Sequence, residues 1–274
     1  MTRLALLQMT SGVDPAANAR IVTDAIAEAA AGGAAMLLTP EMTGLVDRDR
    51  ARAAAVLRSE GDDLVLAAAR EAAAAHGIWL HLGSLALKRP DDKLANRGFV
   101  IDAAGTIRAR YDKLHLFDVD LPTGESWRES ASYSAGEGAV VVDTPLGAVG
   151  LSICYDLRFA ALYAALSAGG ATLLSIPAAF TQPTGAAHWH LLQRARAVES
   201  AAFVVAAAQT GTHEDGRATY GHSLVVDPWG DVLLDMGTEP GVGFADIDPA
   251  RVADVRARVP VLDHRRAIPE VARA

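Results

Sequence analysis

The chain is predicted to adopt an α/β fold built on mixed sheets, and three features of its 274 residues lead to that expectation. Short apolar runs alternate with alanine-rich helical segments, as in layered α/β architectures. Residues 98–111 and 223–234 each join two β-rich runs through a turn with Asp first and Gly last, so antiparallel hairpins accompany any parallel strands. A further apolar run ends at Cys154, the only cysteine, just ahead of a helical segment. No Pro/Ser-rich or charged linker divides the chain, so residues 1–266 are expected to form one domain and 267–274 a tail.

Residues 4–9 read as a short buried strand, and 15–31 as an alanine-rich helix stopped by Gly32 and Gly33. Residues 35–41 return as strand, ended by Pro40. Residues 62–76 are helical and 78–87 extended, followed by the first hairpin. Residues 140–153 read as two strands joined by a turn containing Pro145 and Gly147. A helix over 159–170 is closed by glycines; 171–177 is strand, 186–201 helix and 203–209 strand, before the second hairpin. Asp248 and Pro249 signal a last helix with Val252, Val255 and Val259 on one face, and residues 260–274 read as irregular.

Composition narrows the function. A net charge of −8 argues against nucleic acid or an anionic membrane as partner, and leaves room for a local basic pocket that binds small anions. One cysteine makes no internal disulfide and suits a reducing compartment. The opening residues are too briefly apolar for a signal peptide and no window reaches the length of a membrane span, so a cytoplasmic protein is expected.

Cys154 at a strand-to-helix junction is a candidate nucleophile, because the positive end of a helix dipole favours thiolate. A lone cysteine in an apolar strand also fits a small packed hydrophobe. Tyr155, Asp156 and Arg158 directly after it favour a site that opens to solvent. A thiol nucleophile needs a base and a partner for the developing oxyanion. Glu41 follows its strand as Cys154 does, and partial desolvation there would raise its pKa toward the range of a useful base. Lys113 closes another strand and offers a compact positive charge.

Three segments carry a resemblance: Thr39-Pro40-Glu41, Tyr111-Asp112-Lys113-Leu114-His115-Leu116-Phe117, and Ser152-Ile153-Cys154-Tyr155-Asp156-Leu157-Arg158-Phe159. In order and spacing they resemble the signature segments of the nitrilase superfamily, the carbon-nitrogen hydrolases. The resemblance implies a four-layer α-β-β-α sandwich whose subunits pair through helices near the active site. It also implies Glu41 as general base, Lys113 as oxyanion stabiliser, Cys154 as nucleophile and the Tyr155 N–H as a second oxyanion donor. Glu129, in a segment that reads as loop, matches the family's additional glutamate. Within the superfamily the chain most resembles the branch that hydrolyses deaminated glutathione, through residues 114–120, 184–189, 194–199, 206–213, 220–230 and 259–266. Omega-amidases acting on alpha-ketoglutaramate or alpha-ketosuccinamate, and general aliphatic amidases, are the alternatives. Two positions depart from the branch pattern, Ala186 and His190, both expected beside the substrate pocket.

The expected reaction opens an amide through a thioester, releasing acid and ammonia, with no metal, nucleotide or organic cofactor. A carboxylate-bearing substrate calls for a cation near Cys154. Arg158 is the candidate, with an ion pair to Asp156 as its alternative role, and Phe180 and Thr184 line the same pocket by resemblance. Competing chemistries fit less well. His188 and His190 are two apart on a predicted helix and diverge. His222 opens a strand and could serve Cys154 as a protease-like base or be packed there. Ser223 lacks the second glycine of a nucleophile elbow. A catalytically dead binding protein on the same scaffold would have no reason to retain Glu41, Lys113 and Cys154 together.

Overall fold

The computed structural model describes residues 1–120, 124 and 126–273. In chain order its strands are β1 Thr2–Gln8, β2 Met36–Leu38, β3 Trp79–Lys88, β4 Leu94–Ile101, β5 Ile107–Asp112, β6 Asp118–Asp120, β7 Ser126–Arg128 and β8 Val141–Thr144, then β9 Gly147–Leu151, β10 Leu173–Ser175, β11 Phe203–Ala206, β12 Thr210–Thr212, β13 Ala218–Tyr220, β14 Leu224–Val226, β15 Val232–Asp235 and β16 Gly241–Ile247. The helices are α1 Pro15–Ala31, α2 Arg50–Val56, α3 Leu64–His76, α4 Ala160–Ala168, α5 Gln182–Ser200 and α6 Ala250–Arg258.

Two six-stranded sheets run β16-β1-β2-β3-β4-β5 and β15-β14-β11-β10-β9-β8. Each has a parallel centre, β1-β2-β3 or β9-β10-β11, with antiparallel strands on both sides. Both sheets are therefore mixed, and both expected hairpins supply edge strands, β5 and β15. At the first hairpin Asp102 accepts from Gly105 N through its carbonyl and from Ala104 N and Thr106 N through its carboxylate. This is the reason Asp opens that turn.

Alternation along the strands sorts side chains into layers. Leu4, Leu6, Met36 and Leu38 pack with Leu151, Leu174 and Val205 of the second sheet, forming the interior of a sandwich. Ala5, Leu7 and Leu37 face the other way, onto Val22 and Ile26 of α1 and Leu66 and Ala69 of α3. On the far side, Leu162 and Tyr163 of α4 and Trp189 of α5 cover the second sheet. The order is α-β-β-α, the four-layer sandwich expected.

Local differences from the sequence reading have local causes. Asp49 accepts from Ala51 N and Arg52 N and so nucleates α2, a short helix the pattern did not indicate. α5 begins at Gln182, with Pro183 in its first turn, so Thr184 lies on the helix and not in the preceding loop. Val252 and Val255 of α6 are buried, whereas Val259 falls beyond the helix and is exposed.

One polar contact ties the sheets together inside this apolar layer. His81 of β3 shares a 2.7 Å hydrogen bond between Nδ1 and Ser175 Oγ of β10. Burial lowers the imidazole pKa to about 4. Unfolding returns it to its ordinary value near 6.5, so the unfolded chain binds the extra proton first as pH falls. Stability should therefore decline between those two values, by up to about 3 kcal/mol at about 1.36 kcal/mol per unit. Urea denaturation of wild type and His81→Gln across this range checks it; identical pH dependence in both would remove His81 from the account.

Candidate active site

The chemistry-bearing residues lie just past the carboxyl ends of central parallel strands, where α/β sheets open their crevices. Glu41 stands three residues after β2, farther from the strand than expected. Its loop is clasped by an irregularity in β3, where pairing to β4 shifts register between Leu82 and Leu85. Gly83 N donates to Thr39 Oγ1 at 3.0 Å, Ser84 N to Pro40 O at 3.2 Å, and Thr43 N to Ser84 O at 2.9 Å. A Cβ on Gly83 would stand 2.1 Å from Thr39 O and 2.5 Å from Pro40 O, so only glycine lets the strand approach this loop.

Lys113 follows β5, its N–H bonded to Asn96 O at 3.0 Å. Glu129 opens a single 3-10 turn, Glu129–Ala131, where loop was expected. Its Oε2 accepts from Phe117 N at 2.7 Å, which fixes the carboxylate by a neighbouring backbone. Cys154 begins another 3-10 turn, Cys154–Arg158, after β9. Its N–H donates to Pro177 O at 2.9 Å, and its φ is +50°, a left-handed value that is costly for a side chain with a Cβ.

That conformation is held by Asp156. This buried carboxylate accepts from Ile153 N (2.9 Å), Tyr111 Oη (2.7 Å), His115 N (3.0 Å) and His115 Nδ1 (2.7 Å). It thereby fastens the Cys154 turn to the segment carrying Lys113. Asp156 has no ion pair with Arg158, whose guanidinium instead meets His188 Nδ1 at 3.3 Å and lies 5.5 Å from the centre of the Phe180 ring.

The four side chains converge. Lys113 Nζ lies 2.9 Å from Glu41 Oε1 and 2.9 Å from Glu129 Oε2. Asn96 Nδ2 bridges the same two carboxylates at 2.9 and 3.2 Å. Glu41 Oε2 accepts from Ala179 N at 3.0 Å, and the Cys154 thiol hydrogen-bonds to Glu41. Glu41, Lys113 and Cys154 are respectively 4%, 2% and 8% exposed, so their charges interact in a weakly screening interior. The site roles of Asn96 and Asp156 had no recognised signal in the sequence: one lies between the segments read as strands, the other read as a polar residue after Cys154 and an alternative partner for Arg158.

Electrostatics corrects two expectations. Burial alone would raise the Glu41 pKa, but the Lys113 charge and hydrogen bonds from Cys154, Lys113 and Asn96 outweigh it and hold the carboxyl below its ordinary value. Glu41 is thus ionised at rest. Burial, then the Glu41 charge, push the Cys154 thiol well above its ordinary value, and Lys113 only partly opposes them. The thiol is held protonated, and any dipole from a turn this short is overridden. Burial would lower the Lys113 pKa, but the charges of Glu129 and Glu41 raise it well above normal, keeping the ammonium intact.

These groups floor a cavity of about 850 Å³ whose lining includes Tyr155, Arg158, Phe180 and Thr184, so all the expected substrate-contacting residues meet there. Trp127, Phe117 and Tyr155 of the lining form a chain of aromatic contacts with centroids 6.3 and 5.1 Å apart, which continues outside the lining to Phe159 at 5.3 Å from Tyr155. Ala186 and His190 do not line it. His190 Nε2 turns to Asp235 at 3.0 Å, and His222 Nδ1 meets the same carboxylate at 2.9 Å, which commits His222 away from Cys154. Among the described residues, this trio is where potential metal ligands gather, within 4.8 Å of one another and outside the Cys154 cavity.

The carbon-nitrogen hydrolase family model matches residues 3–257. The chain belongs to the carbon-nitrogen hydrolase family. It is 42% identical to the nitrilase and fragile histidine triad fusion protein NitFhit of Caenorhabditis elegans over 96% of this chain, which spans only 60% of that protein. The crystal structure of C. elegans NitFhit superposes with a TM-score of 0.90, covering 97% of this chain and 65% of that one. A deaminated glutathione amidase of Yersinia enterocolitica is 37% identical, with 97% of this chain and 93% of the relative covered. A mutant amidase from Nesterenkonia sp. AN1, 29% identical with a TM-score of 0.82, covers 97% of this chain and 94% of its own. That structure carries the acetamide moiety of fluoroacetamide covalently added at its active site cysteine.

The protonated thiol is open to direct measurement. Absorbance of thiolate at 240 nm, with Cys154→Ser as blank, should show no ionisation step below the ordinary thiol range of about pH 8.5. A step near neutrality would show that Lys113 and the turn prevail over burial and Glu41.

Proposed function

We propose that the chain is a cysteine-dependent amidase in which Glu41 is the general base, Cys154 the nucleophile, Lys113 with the Tyr155 N–H the oxyanion site, and Glu129 the group that positions Lys113. The observation that carries this reading is the convergence of a protonated thiol, an ionised carboxylate and a fixed ammonium at the floor of one cavity. Glu41 takes the thiol proton as sulfur bonds to the amide carbon, and the carbonyl electron pair moves to oxygen. An ammonium has three donors; Glu41 and Glu129 engage it, and the third serves the oxyanion. The Tyr155 N–H belongs to the first turn of its helix, where backbone donors have no intrahelical partner. As the carbon–nitrogen bond breaks, Glu41 returns the proton to the leaving nitrogen. Water, deprotonated by Glu41, then opens the thioester and restores the thiol.

The substrate class is a small amide bearing carboxylates, with deaminated glutathione favoured. Support comes from identity to relatives of that name and from cationic side chains, Arg158 and Arg217, in the lining. The amide of deaminated glutathione is secondary, so its nitrogen departs as the amine of a dipeptide; a primary amide such as alpha-ketoglutaramate releases ammonia. Pairing of two copies is supported by exposed Leu191 and Val198 on α5 and Trp229 beside them, where Arg194 Nε binds Gly230 O. No helix among the described residues is long and apolar enough to cross a membrane, and an unpaired thiol suits a cytoplasmic setting.

Cys154→Ala should abolish turnover and keep the fold, and Glu41→Gln should block both acylation and deacylation, because an amide side chain relays no proton. Intact mass during turnover should find a thioester adduct on wild-type Cys154; steady turnover by the alanine variant would refute the nucleophile. The Glu41 pKa, already below the carboxyl range, predicts kcat/KM that is flat through neutrality and lost only in acid, as Glu41 takes up its proton. An acid limb near pH 6 to 7 would point to another base. Arg158→Lys should weaken use of carboxylate-bearing amides by about 1.5–3 kcal/mol relative to a neutral short amide, through loss of a charge-assisted bond. Equal losses on both would assign Arg158 a structural role.

A further inference from the structure

The cavity has a second arginine that the sequence reading did not single out. Arg217, between β12 and β13, lines the cavity on a wall shared with Trp127, apart from the Phe180 and His188 contacts of Arg158. Its guanidinium carbon lies 4.5 Å from the Trp127 ring centre, a stacked placement that holds the fork in one orientation. The side chain keeps 18% of its surface exposed. Arg217 Nε is buried and, among the described residues, has no hydrogen-bond partner; Trp127 Nε1 is in the same condition. Asp215 Oδ2 stands 3.8 Å from Arg217 Nη2 and 3.9 Å from Arg48 Nε, too long for a hydrogen bond to either. Burial lowers the Arg217 pKa despite Asp215, the mark of a cation whose desolvation is incompletely offset. A buried donor without an acceptor is costly; Arg217 Nε, Trp127 Nε1 and the nearby acceptor Asp215 Oδ2 are all closed to solvent, so a ligand in the cavity would meet the exposed part of the Arg217 side chain, whose charge no hydrogen bond to Asp215 satisfies.

We propose that Arg217, stacked on Trp127, is an anion subsite that grips a carboxylate on the leaving-amine half of the substrate. This rests on the amidase reading above. The assignment to the leaving half follows from the division of the lining: Arg158 ends the turn that begins at Cys154, whose sulfur becomes bonded to the acyl half, whereas Arg217 lies against Trp127, away from the Phe180 contact of Arg158. A carboxylate on that side would accept two parallel N–H bonds from the guanidinium, and Trp127 would keep the fork from turning away. Arg158 then remains for a carboxylate on the acyl half, and the two arginines read the two ends of a substrate whose scissile amide lies between them.

The test uses three amides of one acyl group, 2-oxoglutarate linked through its distal carboxyl. One is the primary amide, one the cysteinylglycine amide and one the same dipeptide amide with its terminal carboxylate converted to carboxamide. Wild type should prefer the dipeptide acid over its carboxamide by about 10- to 100-fold in kcat/KM, expressed mainly in KM. Arg217→Lys and Arg217→Met should collapse that preference, and with it the ratio of dipeptide acid to primary amide. An unchanged ratio, or an equal loss on acid and carboxamide, would overturn the subsite. If the variants do not fold, the wild-type comparison decides alone: no preference for the acid overturns the proposal. Failure of the amidase reading looks different, since wild type would then cleave none of the three.

Discussion

The site depends on one buried ammonium shared by two carboxylates. Lys113 lies 2.9 Å from an oxygen of Glu41 and 2.9 Å from one of Glu129, where removal of the ammonium would leave two buried carboxylates without compensation. With Glu41 ionised, the same arrangement explains why the thiol keeps its proton: a thiolate would add negative charge beside two carboxylates that already share a single cation. Transfer of the proton to Glu41 as sulfur attacks leaves the net charge of the cluster unchanged and moves one negative charge from Glu41 to substrate oxygen near Lys113. The resting state is therefore disposed toward attack on a carbonyl, and less toward indiscriminate reaction of a free thiolate.

Holding this arrangement falls to backbone contacts from both sheets. Glu41 comes from the first sheet and Cys154 from the second, and their loops meet through Ala179 N on Glu41 and Pro177 O on Cys154, both just past β10. Gly83 lets β3 close on the Glu41 loop, and Asp156, held within its own turn by Ile153 N, ties the Cys154 turn to the Lys113 segment through three hydrogen bonds. Small displacements of either loop would be felt directly at the reacting atoms. The strain of Cys154 at φ +50° is sustained by this surrounding network.

The cavity above is less uniform than the floor. Apolar Leu45, Leu57 and Leu94 share its lining with Arg158 and Arg217, so a small substrate would meet both apolar surface and discrete cationic points. His190 and Ala186, which depart from the pattern of the branch, lie outside the lining, so those departures do not alter the cavity wall.

The sequence alone determined the buried strands, the edge hairpins and the reacting groups. β1 and β2 are apolar on both faces, so the sequence marked them as buried without saying which side chains face the second sheet and which face α1 and α3, whereas the Asp-to-Gly turns encode the two edge hairpins because that signal is local. Glu41, Lys113 and Cys154 were legible because each follows an apolar run in a recognisable motif. Tertiary structure alone decided what surrounds them. The pairing of Asn96 with both glutamates, the engagement of Asp156 by Tyr111 and His115, and the stacking of Arg217 on Trp127 join residues 33 to 90 positions apart, which no local pattern reports. The protonation states were decided there too. Desolvation and the mutual charge of Glu41, Lys113 and Cys154 arise only when the two sheets close, and they reverse the direction in which strand-end position by itself would move the thiol and the carboxyl.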